Sequence, residues 1–431
     1  MVSNKNVVSP SKFPLMFETH PFLDCPTCGA ASAFGVLHIG GNRLNQRCQK
    51  CRFTKHTALP LLDKKVIYLD QFAVSNIYKV RSGEILKPPH VHEFWVEFEK
   101  RIMRAKMSQA AIFPPSSIHR DETIVSPFPS ELWLEHEMFG GNASLIDCDT
   151  LNVRQEMEFA KAFINGQPAP CLEFDVDTAL HGDRNSWLPH LHITANSDFS
   201  SFADGLRESR DRLHTAMLPL FERWQTEKPT FEQVLKEELA AFGKARIQAS
   251  ILALQKFFDA KDRNDIEAIV NISLSSGIWH FMEINRTFDR CGISINDCPR
   301  KIFEFWSWSE LEKLPSHKIS AHIFAVIAAR LAAGQKKIPT QGLNNDIRAI
   351  STFAPYVDAM FIDIECENLL NDGRLKKAVD YRALIFSKAS SQHFFDYLES
   401  LEFGLSDDVK CWSEFLYELR PNKDLGQPSG G

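Results

Sequence analysis

The stretch KKVIYLDQFAVSNIYKV, residues 64–80, carries the strongest fold signal of the chain. Its apolar run at residues 66–69 stops at Asp70, and a segment with helical spacing follows. A short, β-rich apolar run that ends in this way is typical of a strand buried in a parallel sheet. We therefore predict a strand with Asp70 at its carboxyl end, followed by a helix.

The segment after residue 80 repeats this order of elements. A helical stretch at residues 92–107 precedes a second apolar run at residues 110–113. Ser116 then provides the cap chemistry of a helix amino terminus, and acidic residues follow within the first turns. Strand, helix, strand and helix in succession indicate a parallel sheet.

The same pattern returns near the end of the chain. NNDIRAISTFAPYV predicts a helix capped by Asn344 or Asn345, and AMFI predicts a short strand ended by Asp363. RALIFSK predicts a further strand, and SSQHFFDYLESLE predicts a terminal helix. The predicted α/β domain therefore has two parts that are far apart in the sequence.

The middle of the chain, from about residue 127 to residue 337, contains long segments with apolar residues at helical spacing. Because α/β pattern brackets this region, we predict one large helical insertion in a discontinuous α/β domain. The predicted organisation is a flexible tail (1–13), a zinc ribbon (14–60), the α/β domain (61–135 and 337–420), the helical insertion (136–336) and a second tail (421–431).

Four of the ten cysteines form two C-x-x-C pairs, Cys25 with Cys28 and Cys48 with Cys51. Two such knuckles supply the four thiolates of a tetrahedral zinc site, and the 19 residues between them have the pattern of a hairpin turning at Gly40-Gly41-Asn42. We predict a structural Zn²⁺ in a small β zinc ribbon. Whether the ribbon also contacts a ligand stays open, because many such modules only replace a small core.

The charge of the chain limits the ways in which it can bind a partner. The 431 residues include 49 basic and 55 acidic side chains, so the net charge is −6 and nucleic-acid contacts must be local. Short basic clusters such as Lys336 and Lys337 fit a solvated surface. No apolar run approaches the roughly 18 residues that span a bilayer, and the amino terminus lacks the apolar stretch of a secretory signal. We expect a cytoplasmic protein without membrane contact.

Four acidic residues occupy positions where an α/β sheet places functional groups. Asp70 and Asp363 each end a predicted strand, Glu122 lies near the start of a helix that follows another strand, and Asp346 lies in the first turn of a later helix. Clustered carboxylates repel one another unless a divalent cation neutralises them. The pattern therefore predicts a Mg²⁺ or Mn²⁺ site able to activate a water for attack on a phosphodiester.

These segments resemble the PIN-like nuclease family over roughly 150 residues. The resemblance is carried by VIYLDQFAVSNIY, IFPPSSIHRDETI, NNDIRAISTFAPYVDAMFID and ALIFSKASSQHFFDYL. It implies a three-layer α/β/α fold with a parallel sheet, a metal-binding acidic pocket and cleavage of RNA.

The resemblance also assigns the acids one at a time. Asp70 matches the acid after the first strand, Asp346 the acid that opens the later helix, and Asp363 the acid after the next strand. Glu122 matches the acid on the crossover helix, with Asp121 and Glu131 as competitors.

Two positions depart from the family pattern. Phe72 and Phe361 stand where the family usually has small polar or hydroxyl residues near the first and last acids. Ser75, Ser116 or Ser117 are candidates for the missing polar contacts. These departures leave open an altered or inactive site.

The leading hypothesis is a metal-dependent endoribonuclease with catalytic Mg²⁺ or Mn²⁺ at Asp70, Glu122, Asp346 and Asp363, and with RNA ranked ahead of DNA as the substrate. We expect Asp70 and Asp363 to be the direct metal ligands and Glu122 and Asp346 to complete the shell, while the zinc ribbon and the helical insertion select or hold the substrate. The first alternative is an inert PIN-like scaffold whose ribbon and helical insertion bind a protein partner. The second is a nuclease that acts on DNA or on junctions. A basic rim around the acids favours the enzyme, and an apolar rim favours the scaffold.

Overall fold

The structure, a computed structural model, describes residues 23–188, 200–273 and 275–417. Both predicted tails lie outside these residues. The first described element is a three-stranded antiparallel sheet in the order of the chain. Its strands are β1 (Phe34–Gly40), β2 (Arg43–Cys48) and β3 (Thr54–Ala58). The predicted hairpin corresponds to β1 and β2, and β3 is an additional strand that the sequence pattern did not suggest.

The second part of the chain begins with the stretch that signalled the fold. Its elements are β4 (Lys65–Leu69), α1 (Gln71–Arg81), α2 (Pro89–Met107), β5 (Ala111–Ile112) and α3 (Ser117–Ile124). β4 pairs in parallel with β5, with Lys65 opposite Ala111.

The region that follows is mostly helical and also contains a two-stranded antiparallel sheet. Its elements are α4 (Pro129–Gly140), β6 (Ser144–Leu145), α5 (Cys148–Ile164), β7 (Leu180–His181), α6 (Ser200–Glu227), α7 (Phe231–Asp262), α8 (Ile266–Ser273), α9 (Ser276–Arg290), α10 (Cys298–Trp306) and α11 (Pro315–Ala332). Helices α5, α9 and α10 share a core that includes Phe159, Phe288 and Phe305. Gly243 of α7 lies so close to α10 that an added Cβ would come within 1.7 Å of the Trp306 carbonyl oxygen, so this crossing requires glycine.

The last part of the chain completes the parallel sheet. Its elements are α12 (Leu343–Phe353), β8 (Ala359–Phe361), α13 (Ile364–Leu370), α14 (Gly373–Ala378), β9 (Leu384–Phe386), α15 (Ser391–Phe403) and α16 (Asp407–Tyr417). The strand order is β5-β4-β8-β9, and all three pairings are parallel. The predicted parallel α/β sheet is confirmed. Its strands come from both parts of the predicted domain, β4 and β5 from the first part and β8 and β9 from the second.

Helices cover both faces of this sheet. Val66 and Tyr68 of β4 pack into a core with α5, α11 and α12. Ile67 and Leu69 point the other way, into a core with α1, α2 and α15. Because alternate residues of a strand point to opposite faces, a continuous apolar run of this kind requires a sheet that is buried on both sides.

Two local expectations differ from the structure. Helix α12 begins at Leu343, and its N-cap is Gly342 without a side-chain cap. Neither Asn344 nor Asn345 is therefore the cap, and the Asn345 amide instead contacts Glu122. Helix α15 is also not terminal, because α16 follows it and packs its Val409 and Leu416 against the ribbon. Within the described residues, no helix has the length and apolar character to cross a membrane.

Candidate metal centres and acidic site

The four ribbon cysteines converge at one point. The Sγ atoms of Cys25 and Cys51 are 3.6 Å apart, those of Cys28 and Cys48 are 3.8 Å apart, and all four lie within 4.8 Å of one another. A disulfide would bring two sulfurs to about 2.05 Å. A tetrahedral zinc shell with Zn–S bonds of about 2.3 Å separates its sulfurs by about 3.8 Å. The spacing of these thiols therefore fits a zinc ion.

The two knuckles have the same backbone geometry. The Gly29 amide donates to the Cys25 carbonyl at 2.9 Å, and the Arg52 amide donates to the Cys48 carbonyl at 3.1 Å. Gly29 and Arg52 both have positive φ angles, 66° and 62°. Amides of Cys51 and Lys50 also donate to the Cys48 sulfur and lower the pKa of that thiol to about 6. These backbone donors stabilise the thiolate of Cys48, the form in which a cysteine binds zinc.

The acidic site forms at the carboxyl end of the parallel sheet. Asp70 follows β4 and caps α1, where its Oδ1 accepts the Phe72 amide at 3.1 Å. Asp363 follows β8 and caps α13, where its Oδ1 accepts the Cys366 amide at 2.6 Å. Leu69 of β4 and Phe361 of β8 are register partners. The two aspartates therefore emerge side by side from neighbouring strands.

The other two predicted acids approach from helices. Asp346 lies in the first turn of α12. Glu122 of α3 accepts a hydrogen bond from Asn345 of α12, with 2.8 Å between Oε1 and Nδ2. A second bond, 3.1 Å from Gln71 Nε2 to Thr123 Oγ1, joins the neighbours of Asp70 and Glu122. These hydrogen bonds join α3 to α1 and to α12. Among the described residues, the group of ligand atoms that lie within 4.8 Å of one another includes Asp346 and Asp363 but not Asp70 or Glu122.

The four carboxylates act on one another electrostatically. Burial and the nearby Glu122 raise the pKa of Asp70 to about 8. Burial, Asp70, Asp363 and Glu122 raise the pKa of Asp346 to about 9. Burial also raises the pKa of Glu122, against the lowering effects of Asn345 and Arg210. Charges of one sign at this density favour either protonation or a bound cation.

Three side chains at this site were not predicted from the sequence. Cys366 of α13 places its Sγ within 4.8 Å of carboxylate oxygens of both Asp346 and Asp363. Arg210 of α6 lowers the pKa values of Asp346 and Glu122, and its buried Nε has no hydrogen-bond partner among the described residues. Asn345 holds Glu122. Only Cys366 had a local signal, because it lies three residues after a predicted strand-end acid.

The competitor acids have other contacts. Asp121 pairs with Arg120, with 3.3 Å between Oδ1 and Nη2. Glu131 is exposed in the first turn of α4.

The serines proposed as substitute polar groups also have other roles. The Ser116 hydroxyl caps α3 at the His119 amide, and the Ser117 hydroxyl accepts the Cys148 amide at 3.5 Å. Ser75 lies within α1.

The two phenylalanines that depart from the family pattern have different environments. Phe361 is fully buried, and its ring centroid lies 4.6 Å from that of Phe98 and 5.0 Å from that of Phe394. Phe72 packs against this core and also lines an open cleft. Phe361 is therefore a core residue, whereas Phe72 presents an aromatic surface beside Asp363.

An open cleft of about 550 Å³ adjoins the acidic site. Asp363 is one of its lining residues, and Arg330, Lys337 and Lys388 are others. The remaining lining residues are Phe72, Gln335, Ile364, Glu365 and Asn368. Lys337 lies 3.4 Å from the Glu365 carboxylate, and Arg330 donates to the Asn368 carbonyl. The cleft thus joins a carboxylate of the acidic site to a rim with three cationic side chains.

No protein-family model matches the sequence, and searches of curated proteins and of solved structures give no match.

Proposed function

We propose that this protein is a metal-dependent PIN-like nuclease that hydrolyses phosphodiester bonds in RNA. The observation that carries the proposal is the cleft in which Asp363 shares a surface with Arg330, Lys337 and Lys388. Cations bind the phosphates of a nucleic acid strand, and carboxylates bind the divalent ion used in phosphodiester hydrolysis. A carboxylate and three cations that line one cleft support this combination of chemistries.

The carboxylates of the acidic site fit Mg²⁺ or Mn²⁺, because these ions prefer oxygen ligands. The nearby Cys366 thiol, whose pKa is raised by burial, is not a ligand that these ions prefer. Asp363, predicted as a direct ligand, and Asp346 have carboxylate oxygens within 4.8 Å of each other and would hold the ion. Asp70, also predicted as a direct ligand, would instead complete the acidic shell with Glu122. When bound, the ion supplies a water of lowered pKa and stabilises negative charge on the phosphate. The Glu122–Asn345 hydrogen bond and the Asp70 and Asp363 caps keep the carboxylates in position.

The cationic rim supports the enzyme over the inert scaffold, for which an apolar rim was expected. Lys337 and Lys388 can contact phosphates, and the Phe72 ring offers a surface on which a base can stack. The parallel sheet with acids after β4 and β8 supports the PIN-like assignment.

RNA cleavage assays with purified wild type and Asp70→Asn test the proposal. We expect wild type to cleave a labelled single-stranded RNA with Mg²⁺ or Mn²⁺, and to be inactive with EDTA. Asp70→Asn should be inactive in every condition, with an unchanged circular dichroism spectrum. Equal trace cleavage in all samples would indicate a contaminant and favour the inert scaffold. A labelled DNA strand of the same sequence, cleaved at the same rate, would favour the DNA nuclease.

A further inference from the structure

The zinc ribbon has one covered face and one open face. On β2, Leu44, Gln46 and Cys48 are buried, and Leu44 packs with Trp187 and with Leu416 of α16. Arg43 and Arg47 alternate with these residues and are exposed on the opposite face. The ribbon is therefore fixed to the rest of the chain by one face, while the other is open.

A row of hydrogen-bonded polar side chains crosses the open face. Asn45 of β2 is the register partner of His38 on β1 and of His56 on β3. The Asn45 Nδ2 lies 2.9 Å from His38 Nε2, and its Oδ1 lies 2.5 Å from His56 Nδ1. Both imidazoles are exposed, whereas Asn45 is only 8% exposed. Asn45 thus holds two exposed rings in fixed positions between Arg43 and Arg47.

The ribbon concentrates positive charge in a chain whose net charge is negative. Between residues 23 and 60 there are five basic side chains and a single acid, Asp24, although the whole chain has a net charge of −6. Within the described residues none of the five forms an ion pair, and all are exposed. The five are Arg43, Arg47, Lys50, Arg52 and Lys55. Arg43, Arg47 and Lys55 lie on the sheet, and Lys50 and Arg52 lie in the turn between β2 and β3. Exposed cations without ion pairs are complementary to a polyanion.

We propose that the open face of the ribbon binds single-stranded RNA. Arg43 and Arg47 would contact phosphates, and the exposed rings of His38 and His56 would stack on unpaired bases. The free ring nitrogens also offer hydrogen bonds to base edges and to the 2'-hydroxyl that distinguishes RNA from DNA. This inference deepens the proposed function, on which the choice of RNA rests.

The ribbon lies at the amino-terminal end of β4, the β-strand that is followed by Asp70. β3 continues through residues 59–64 into the start of β4, whereas Asp70 follows the end of β4. Five strand residues separate these ends by about 16 Å. In this proposal the ribbon is a second contact point for an RNA strand whose other part occupies the cleft near Asp363.

Binding of fluorescein-labelled RNA tests the inference without cleavage. The probe is a single-stranded RNA of about 20 nucleotides, long enough for several contact points. It is titrated with Asp70→Asn protein in buffer without Mg²⁺ or Mn²⁺, and the affinity is read by fluorescence anisotropy. The double variant Arg43→Glu/Arg47→Glu is added to this background. A control with the same charge change, Lys256→Glu/Lys261→Glu, alters two exposed lysines of α7.

We expect the ribbon variant to bind RNA at least about 10-fold more weakly than the parent. The slope of log affinity against log salt concentration should be smaller by about 1.4, because each lost phosphate contact removes about 0.7. The control should bind like the parent protein. A zinc content equal to that of the parent shows that the ribbon is intact, and His38→Ala, which keeps both arginines, should weaken binding on its own.

Equal affinities of the ribbon and control variants would overturn the docking proposal. Equal affinity for DNA of the same sequence, or displacement of the RNA by polyglutamate, would overturn the assignment to RNA. Failure of the nuclease proposal can be distinguished from failure of the binding proposal. If wild type showed no metal-dependent cleavage but the ribbon variant still bound RNA more weakly than the control, only the nuclease proposal would be wrong.

Discussion

The cysteine ribbon and the acidic site both bring ligand-type side chains together, but they are assembled in different ways. The ribbon cysteines come from two similar knuckles within one short antiparallel sheet. The acids come from two strand ends and two helices, and Asp70 and Asp363 are separated by most of the chain. A local cluster can be identified from spacing alone, whereas a dispersed one depends on the whole fold.

If the ribbon is an independent zinc module, removing one thiol should unfold it alone. We expect Cys28→Ser to reduce bound zinc from one per chain to near zero, because the zinc-binding free energy of about 10–16 kcal/mol is coupled to folding. Amides of β1 to β3 should lose protection from hydrogen exchange, and those of β4 and β8 should keep it. Cys171→Ser, which changes another exposed thiol, should retain zinc. Loss of protection in the parallel sheet as well would show that the ribbon does not fold independently.

The acidic site should lose activity without losing the fold. Asp363→Asn keeps a cap residue for α13 but removes a charge, and we expect RNA cleavage to fall by about 100-fold or more, since even outer-shell partners of metals contribute about 10–100-fold.

Asp372→Asn is the matched control for this change. Asp372 also caps a helix, α14, where its carboxylate accepts the Arg374 amide at 2.9 Å. The control should cleave RNA at close to the wild-type rate. Equal losses in both variants would point to a capping role for Asp363.

Repulsion among the acids predicts a pH-dependent stability in protein free of Mg²⁺ and Mn²⁺. Burial and neighbouring carboxylates raise the pKa of Asp346 from 3.8 to about 9. The folded state therefore binds more protons than the unfolded state, and stability falls as pH rises from about 4 to about 9.

Asp346→Asn should flatten this decline, which for one proton is at most about 1.4 kcal/mol per pH unit. Urea unfolding between about pH 5 and pH 9 measures the difference. Added Mn²⁺ should flatten the wild-type curve in the same way. Parallel curves for wild type and variant would contradict the repulsion.

The smallest effect is expected at the rim of the cleft. Lys337 is largely exposed, and its contact with Glu365 is loose. We expect Lys337→Ala to raise the KM for RNA by about 3-fold with little change in kcat, because one exposed charge contributes less than about 1 kcal/mol. Lys376→Ala, on exposed α14 and outside the cleft, is the control. A larger change in kcat than in KM would place Lys337 in the chemistry.

The features that depend on residues close together in the sequence could be predicted from local patterns. The spacing of Cys25, Cys28, Cys48 and Cys51 defines a cluster because two tight turns leave the sulfurs few other positions. The apolar run before Asp70 likewise identified β4, since a strand buried on both faces needs apolar residues throughout.

The features that were not predicted from the sequence depend on contacts between distant segments. Arg210 belongs to a long helix with many charged residues, and no local feature shows that it approaches Asp346 and Glu122. The cleft combines Arg330 of α11, Lys337 of the following loop and Lys388 near α15. Lys337 was interpreted as a solvated surface residue, because its role depends on where α13 lies.

The pairing of β4 with β8 has a consequence for the growing chain. The Val66 amide donates to Asp358, 292 positions further on. Closing a flexible loop of about 290 residues instead of about 90 costs only about 1 kcal/mol more, so a long intervening segment adds little to the free energy of closure. The insertion has a larger effect on the point during synthesis at which the acidic site can form. A nascent chain that has completed its ribbon and α1 to α11 still lacks Asp346 and Asp363, so the proposed nuclease centre can assemble only after most of the polypeptide has been made.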